Sequence, residues 1–599
     1  LSAISCQQSV VSNQLSVISN QQSEDCILRA ASRIQHQSIN QSIENNIMAF
    51  SRRHFLQTSA SIGAGVFIAG CVPGASSISH RPQFDLLIKG GRVIDGTGTA
   101  ETLADIGIRE GRIVAVGPIG SADALRIIDA KGMHVVPGFV DIHTHTDSSI
   151  LSLPTADSKL RQGVTTEVGG ADGESRAPRK TRAEDDELLY SDFDGFFNHL
   201  QKKGSAQNIA SMVGLGTVRE MIVGEDDRPA TPEEMEAMKR VVRTAIEQGC
   251  CGVSTGLEYT PGSFASTQEL WELTKAAPEP FRLYASHMRN EDMRVLEAIE
   301  EAIRIGRNAG ARLQISHLKS SYKVNWYKNE ITLKMLDDAI AEGIEVHADR
   351  YPYIAYQTGL ANLFPLWSRD GGTEQFMSRL KDKSVLAKIK PDTIRKITGL
   401  GSWDSVMITS TRLEEHKGYI GKTIQQIATA LNADPFDLSV DLMIKENGSV
   451  GMVGFGMDEE GTELVLKWKN TIVASDGGAY SPASRSNPHP RTYGTFPRAI
   501  AHYQKERQVC SLPEMIRKMT SMPAQKIGLK DRGVIAQGKA ADIVIFDYAA
   551  IKDNATFLNP HQFPSGIPYV IVNGVMAVEN NEITGKLPGN VLRSGGFAV

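Results

Sequence analysis

Residues 135–149 read VVPGFVDIHTHTDSS. An apolar run ends in His143-Thr144-His145, with Asp141 and Asp147 on either side. In an extended strand, residues i and i+2 project to the same face, so the two imidazoles can point together and hold one ion. H-x-H alone is a weak signal, because two histidines often coincide in a strand. It gains weight when other strands end the same way.

Outward from this stretch, short apolar runs alternate with helical stretches, the signature of βα units. Eight candidate strands succeed one another: HVVPGFVDIHTH, TTEVGG, ASMVGL, GVSTG, RLYASH, RLQISH, IEVHADRY and TIVASD. They predict an α/β fold, a (β/α)8 TIM-type barrel with its active site at the C-terminal strand ends. Strand one ends in His143 and His145, strand five in His287, strand six in His317 and strand eight in Asp476; Asp172 comes just past strand two. Imidazoles and carboxylates converging on one face suit a borderline divalent metal, most simply Zn2+. His347 in strand seven is the nearest rival ligand. His489, His502 and His561 fall in turns or helices, with surface or capping roles expected.

Beyond the barrel, FDLLIKGGRVID and ADIGIREGRIVAVG near the front, and AADIVIFDYA and PYVIVNGVMAVENNEI near the end, alternate apolar and polar residues around glycine turns. Residues 83–134 and 530–599 are therefore expected to form one small composite β-sandwich, with the barrel at 135–529. The stretch from about 365 to 460 is too long for one loop. Its helical texture, as in GKTIQQIATALNADPFDLSVDLMIKE, predicts a subdomain inserted over the barrel mouth.

The 599 residues exceed one compact core. A net charge of −5 without a basic face makes nucleic acid an unexpected partner. Six cysteines form no disulfide framework, and Cys250, Cys251 and Cys510 read as small buried side chains. Residues 1–47 begin with Leu1, are rich in Ser, Gln and Asn, and are expected to be a disordered leader that is not a genuine part of the protein, Met48 being the better initiator. Residues 48–71, MAFSRRHFLQTSASIGAGVFIAGC, resemble a twin-arginine export signal ending in a lipoprotein box. Cys71 is then the lipidated mature N-terminus, 72–82 a linker, and the lipid anchor the only membrane contact of a protein exported to the cell envelope.

The stretches PGFVDIHTHTD, QGVTTEVGGADGES, GVSTGLEYTPG, ASHMRNE, ISHLK, DRYPY, ASDGG, HPRTYGTFPR, GKAADIVIFD and PHQFPSGIPYVIVNG resemble the amidohydrolase superfamily, and within it the D-aminoacylase (N-acyl-D-amino-acid deacylase) group. They cover nearly everything from about residue 83 onward. The resemblance implies a metal-dependent hydrolase that cleaves N-acyl-D-amino acids to a carboxylic acid and a free D-amino acid. By position, His143 and His145 resemble ligands of one metal site, His287 and His317 ligands of the other, and Asp476 the acid/base that also touches the metal. Lys319, two residues past His317, is the first candidate for the substrate carboxylate, with Arg491 and Tyr259 behind it. One departure stands out: D-aminoacylases usually carry cysteine where this chain has Asp172, with Glu174 two residues on. A carboxylate makes the site harder and can bridge two cations. GVSTG contains no lysine, which disfavours a carbamylated-lysine bridge like that of hydantoinases. Other amidohydrolase activities share most of these ligands: N-acyl-D-glutamate or D-aspartate deacylase, dipeptidase, cyclic-amide hydrolase. A non-catalytic metal-binding lipoprotein would have no need of Asp476.

Overall fold

Eight short parallel strands carry the barrel in the computed structural model, which describes residues 82–120, 123–179 and 190–594. They are β1 (Phe139–Asp141), β2 (Val164–Gly169), β3 (Asn208–Ser211), β4 (Val253–Gly256), β5 (Leu283–His287), β6 (Arg312–Ile315), β7 (Val346–Arg350) and β8 (Thr471–Val473). The expected leader, export signal and Cys71 lie outside the described residues. Strands β1 to β3 pair in sequence, as do β4 to β8, and Val213–Gly214 just past β3 pairs with β4. The ring closes beyond the ends of β8 and β1, where Asp476 N bonds His143 O at 2.9 Å and Thr144 bridges Gly477.

That seam accounts for Asp141. Its carboxylate shares the strand face of His143 but turns to the seam. Oδ1 accepts Ser475 N at 2.9 Å, and Oδ2 lies 2.6 Å from Lys159 Nζ, which also bonds Gly477 O at 3.1 Å. Asp147 holds the loop after β2, accepting Gly170 N at 3.0 Å.

The helices bury one face each. Val295–Ala309 buries Val295, Ala298, Ile299, Ala302 and Ile303, a 3.6-residue rhythm, and stops at Gly310 in the left-handed conformation (φ 64). Pro232–Glu247 starts with a capping box between Thr231 and Glu234 and with proline in its first turn.

The run HVVPGFVDIHTH, read from sequence as one strand, is divided. His134–Pro137 pairs with Ile543–Phe546 and Leu86–Val93, and β1 begins only at Phe139. Gly138 makes the crossing, where a Cβ would collide with the Thr165 side chain. The sheet outside the barrel runs Glu582–Ile583, Val575–Glu579, Tyr569–Val572, Ile543–Phe546, His134–Pro137, Leu86–Val93, Thr102–Arg109, Arg112–Gly117, with Ile127–Asp129 beside Leu86–Val93. Alternation sorts its side chains. Ile543, Ile545 and Ile571 share a core with Ile88, Ile106 and Ile108 from the front of the chain, so the sheet folds over this face into a small β-sandwich. Val544, Phe546, Val570 and Val572 pack instead with Phe139, Phe496 and Tyr503 of the barrel.

The insertion lies between β7 and β8. An antiparallel sheet of Tyr356–Gly359, Gly451–Gly454 and Val406–Ser410 is covered by helices Gly372–Lys381, Lys383–Leu400, Ile424–Leu431 and Pro435–Lys445 around a core of its own. It starts before the expected residue 365, because Tyr356–Gly359 reads YQTG, half-exposed and without an alternating apolar pattern. Among the described residues no helix is long and apolar enough to cross a membrane.

Candidate metal centre

The barrel brings the six expected ligands to one place. His287 is the last residue of β5, His143 and His145 come after β1, His317 after β6, and Asp172 and Asp476 after β2 and β8. Asp172 (φ 51), His317 (φ 35) and Asp476 (φ 49) stand in left-handed backbone, which costs non-glycine residues free energy and collects at functional sites. The conformation turns each side chain off its strand and over the barrel mouth.

Asp172 is the hub. Oδ1 lies 3.2 Å from His143 Nε2; Oδ2 lies 3.6 Å from His145 Nε2, 3.7 Å from His287 Nδ1 and 3.6 Å from His317 Nε2. Asp476 Oδ1 lies 3.1 Å from His145 Nε2, and its Oδ2 accepts Arg491 Nη1 at 2.7 Å. Two donor sets result, His143, His145, Asp172 and Asp476, and Asp172, His287 and His317, each with donor atoms within 4.8 Å of one another. His143 Nε2, both nitrogens of His287 and Asp172 Oδ1 are buried without a hydrogen-bond partner among the described residues. Buried polar atoms left so are costly. A divalent cation at each set would take up His143 Nε2, one nitrogen of His287 and Asp172 Oδ1, and the nitrogen–oxygen donors fit a borderline ion.

The electrostatics agree. Burial opposes charge on His143, but the carboxylates of Asp172, Asp349 and Asp476 outweigh it and raise its pKa well above the imidazole range. His317 is raised to about 10, Glu291 and Asp172 overcoming burial and Lys319. Asp172 is likewise held well below the carboxylate range, burial being outweighed by His143 and His317. Without an ion, protons on the imidazoles balance the ionised carboxylates; a bound cation would displace them.

Two acids that sequence reasoning gave no role support the histidines. Asp349, near the end of β7, lies 3.2 Å from His143 Nδ1 and accepts His317 N at 2.7 Å and Gln314 Nε2 at 2.8 Å. Glu291 lies 2.9 Å from His317 Nδ1. Both stood in quoted motifs, DRYPY and ASHMRNE, but nothing local marks them as partners of another strand's histidine. His347 belongs to neither donor set; burial and nearby Lys526 lower its pKa to about 3. His489, expected at the surface or in a cap, is fully buried: Nε2 bonds Ala355 O at 2.9 Å and Nδ1 accepts Arg491 N at 3.0 Å, shaping the turn that delivers Arg491. His502 pairs with Glu459 and Glu506, and His561 with Tyr493 and Ser486.

A cavity of about 730 Å³ opens over the centre, lined by Tyr259, Lys319, Tyr351 and Arg491, with Glu174 also in its wall. The Tyr259 ring lies 4.7 Å from that of His287. Lys319 does not offer a free charge as expected: Nζ is 2.6 Å from Glu291 Oε2 and bonds His317 O at 3.2 Å. Arg491 keeps Nε buried and unpartnered among the described residues.

The sequence matches the Amidohydrolase family over residues 126–288 and 469–578, which include every ligand candidate except His317. It is 32% identical to the D-aminoacylase of Alcaligenes xylosoxydans xylosoxydans over 86% of this chain and 99% of that protein. It is also 32% identical to the N-acyl-D-aspartate deacylase of the same organism, over 87% and 97%. The crystal structure of N-acyl-D-glutamate deacylase from Bordetella bronchiseptica, complexed with zinc and a phosphonate mimic of the tetrahedral intermediate, matches with a TM-score of 0.74 at 31% identity, covering 85% of this chain and all of that one (100%). With its ligand-bearing strand ends and these relatives, the chain belongs to the amidohydrolase family, in the D-aminoacylase group.

Proposed function

We propose that this protein is a zinc-dependent hydrolase that cleaves the amide bond of N-acyl-D-amino acids, releasing a carboxylic acid and the free D-amino acid. One observation carries it: the Asp172 carboxylate stands between two sets of imidazoles, with Asp476 beside one of them and unpartnered donor atoms facing inward. The names of the relatives support the substrate class, and the zinc in the Bordetella bronchiseptica enzyme supports the metal. His143, His145, Asp172 and Asp476 would hold one ion, and Asp172, His287 and His317 a second. A divalent ion there supplies Lewis acidity, which polarises a carbonyl and lowers the pKa of a bound water.

The chain's own residues do the rest. Asp476 accepts a proton from the attacking water and delivers it to the departing nitrogen as the C–N bond breaks. An amide needs that second step, because an amine anion is a poor leaving group. Burial opposes ionisation of Asp476, but Arg491 and His143 outweigh it, so the carboxyl is ionised at neutral pH. The unpartnered Nε–H of Arg491 faces the need of a substrate carboxylate, with Tyr259 in the same wall; Lys319 reaches one by exchanging Glu291 for it. Metal-loaded protein offered paired N-acyl-D- and N-acyl-L-amino acids, with neutral and acidic side chains, is expected to release free amine from D substrates. No release from any D substrate overturns the reading.

The proposal extends to the front of the chain: SRRHFL followed by IAGC supports export and lipidation at Cys71. Mass spectrometry of membrane-derived protein is expected to find a lipidated Cys71 at the N-terminus; residues upstream of it in the mature chain overturn this.

A further inference from the structure

We propose that His489 is a positioning residue for recognition of the substrate carboxylate: it ties Arg491 to the first strand of the insertion, so that the subdomain over the barrel mouth sets where the Arg491 guanidinium stands. The two partners of the imidazole come from different parts of the chain. Nδ1 accepts Arg491 N at 3.0 Å, and Nε2 bonds Ala355 O at 2.9 Å. Ala355 directly precedes the insertion strand Tyr356–Gly359. A backbone N–H only donates and a carbonyl only accepts, so the ring is neutral with its proton on Nε2. A neutral imidazole carries this acceptor and this donor on one rigid ring. Burial and the Arg491 charge hold its pKa well below the imidazole range, so this form persists at neutral pH.

The rest of the segment is joined to the insertion in the same way. His489 N bonds Gln357 Oε1 at 3.0 Å, and Asn487 N bonds Thr409 O at 2.7 Å. Residues 487–491 therefore hang from two strands of the insertion sheet, Tyr356–Gly359 and Val406–Ser410. The fully buried His489 ring packs against Tyr351, Tyr353 and Phe557, with ring centres 5.9, 5.2 and 4.9 Å away. Arg491 opens the helix Arg491–Arg498 directly after this joint, and its guanidinium lies 4.7 Å from the Tyr351 ring centre in the cavity wall. Tyr356, Gln357 and Thr358 of the insertion strand line the same cavity. One joint thus sets the guanidinium and that part of the wall together. A displacement of about 1 Å, even from a change far from the chemistry, can cost about 10²-fold.

The proposal rests on the hydrolase reading, and the test keeps the two apart. H489N leaves an amide oxygen near the place of Nδ1 and nothing to bond Ala355 O. H489Q reaches the place of Nε2 and leaves Arg491 N without its acceptor. Metal-loaded wild type and both variants are assayed with an N-acyl-D-amino acid. Its carboxamide-capped form, which lacks the charge for Arg491, is measured as a competing inhibitor. Each variant is expected to raise KM for the acid by about 10–100-fold, with kcat changed much less. The inhibition constant of the capped form is expected to stay at its wild-type value. Weakening of the acid and the capped form alike is general structural damage and overturns the proposal. Wild-type constants in either variant also overturn it, because the ring would then need only one of its two partners. If one variant fails to fold, the other decides by the same criteria. Wild-type protein that releases no amine from any D substrate overturns the hydrolase reading and this proposal together; active wild type with unaffected variants overturns this proposal alone.

Discussion

Replacing Asp476 by asparagine is expected to lower turnover by about 10²–10⁴-fold, the usual contribution of a positioned acid/base. The substitution keeps size and shape: the amide oxygen still accepts from Arg491, which bonds Oδ2 at 2.7 Å, and the seam bond from Asp476 N to His143 O is untouched. The carboxylate that takes the proton disappears. KM should change much less, since Arg491, Lys319 and the four histidines remain. Metal content, thermal stability and turnover measured on one sample separate the roles. Lost turnover with retained metal fits the acid/base; lost metal and lower stability would make Asp476 chiefly a ligand. Near-normal turnover at full metal occupancy would place the catalytic group elsewhere. The stability comparison has a defined pH dependence. In the metal-free protein the Asp476 carboxyl is held below its ordinary value by Arg491 and His143, against burial. Its contribution is therefore present above the unfolded carboxylate pKa of about 3.9 and is lost as pH falls through the depressed folded value. The gap in stability between wild type and variant should close in acid.

Changing Lys159 to methionine should cost about 3–5 kcal/mol of stability, the range for removing one partner of a buried ion pair. Lys159, Asp141 and Glu167 are all essentially inaccessible, and a single ammonium serves both acids, at 2.6 Å and 3.7 Å. The methionine fills the space but leaves Asp141 charged and unpaired between β1 and β8. Because Lys159 also bonds Gly477 O, the damage falls on the seam that sets His143, His145 and Asp476, and metal affinity should fall with stability. Denaturant titration checks the first effect and chelator competition the second. Adding Asp141→Asn is expected to recover part of the loss, because it removes the stranded charge. A change of less than about 1 kcal/mol in the single variant, well under the cost of a stranded buried charge, would mean that the seam relaxes around the missing ammonium.

The sequence by itself determined the features that depend on one strand at a time. The two-residue period puts His143 and His145 on one face whatever surrounds them. The polar end of each apolar run marks His287, His317 and Asp476 as strand-end residues. The count of βα units implies a barrel, and a barrel gathers its strand ends at one mouth. Only the tertiary structure decided which side chains meet there. Asp349 supports His143 from 206 residues away, and Ser475 reaches Asp141 across 334. Periodicity reports the face that a residue occupies, not the groups that other strands bring to that face. That is why Lys319 looked free to meet a substrate and is found on Glu291, and why Asp141, two residues before a ligand on the same face, serves the barrel seam instead. It is also why one apolar run, His134 to His145, is shared by two domains: its two halves are equally apolar, and the partners that divide it at Gly138 lie in separate sheets.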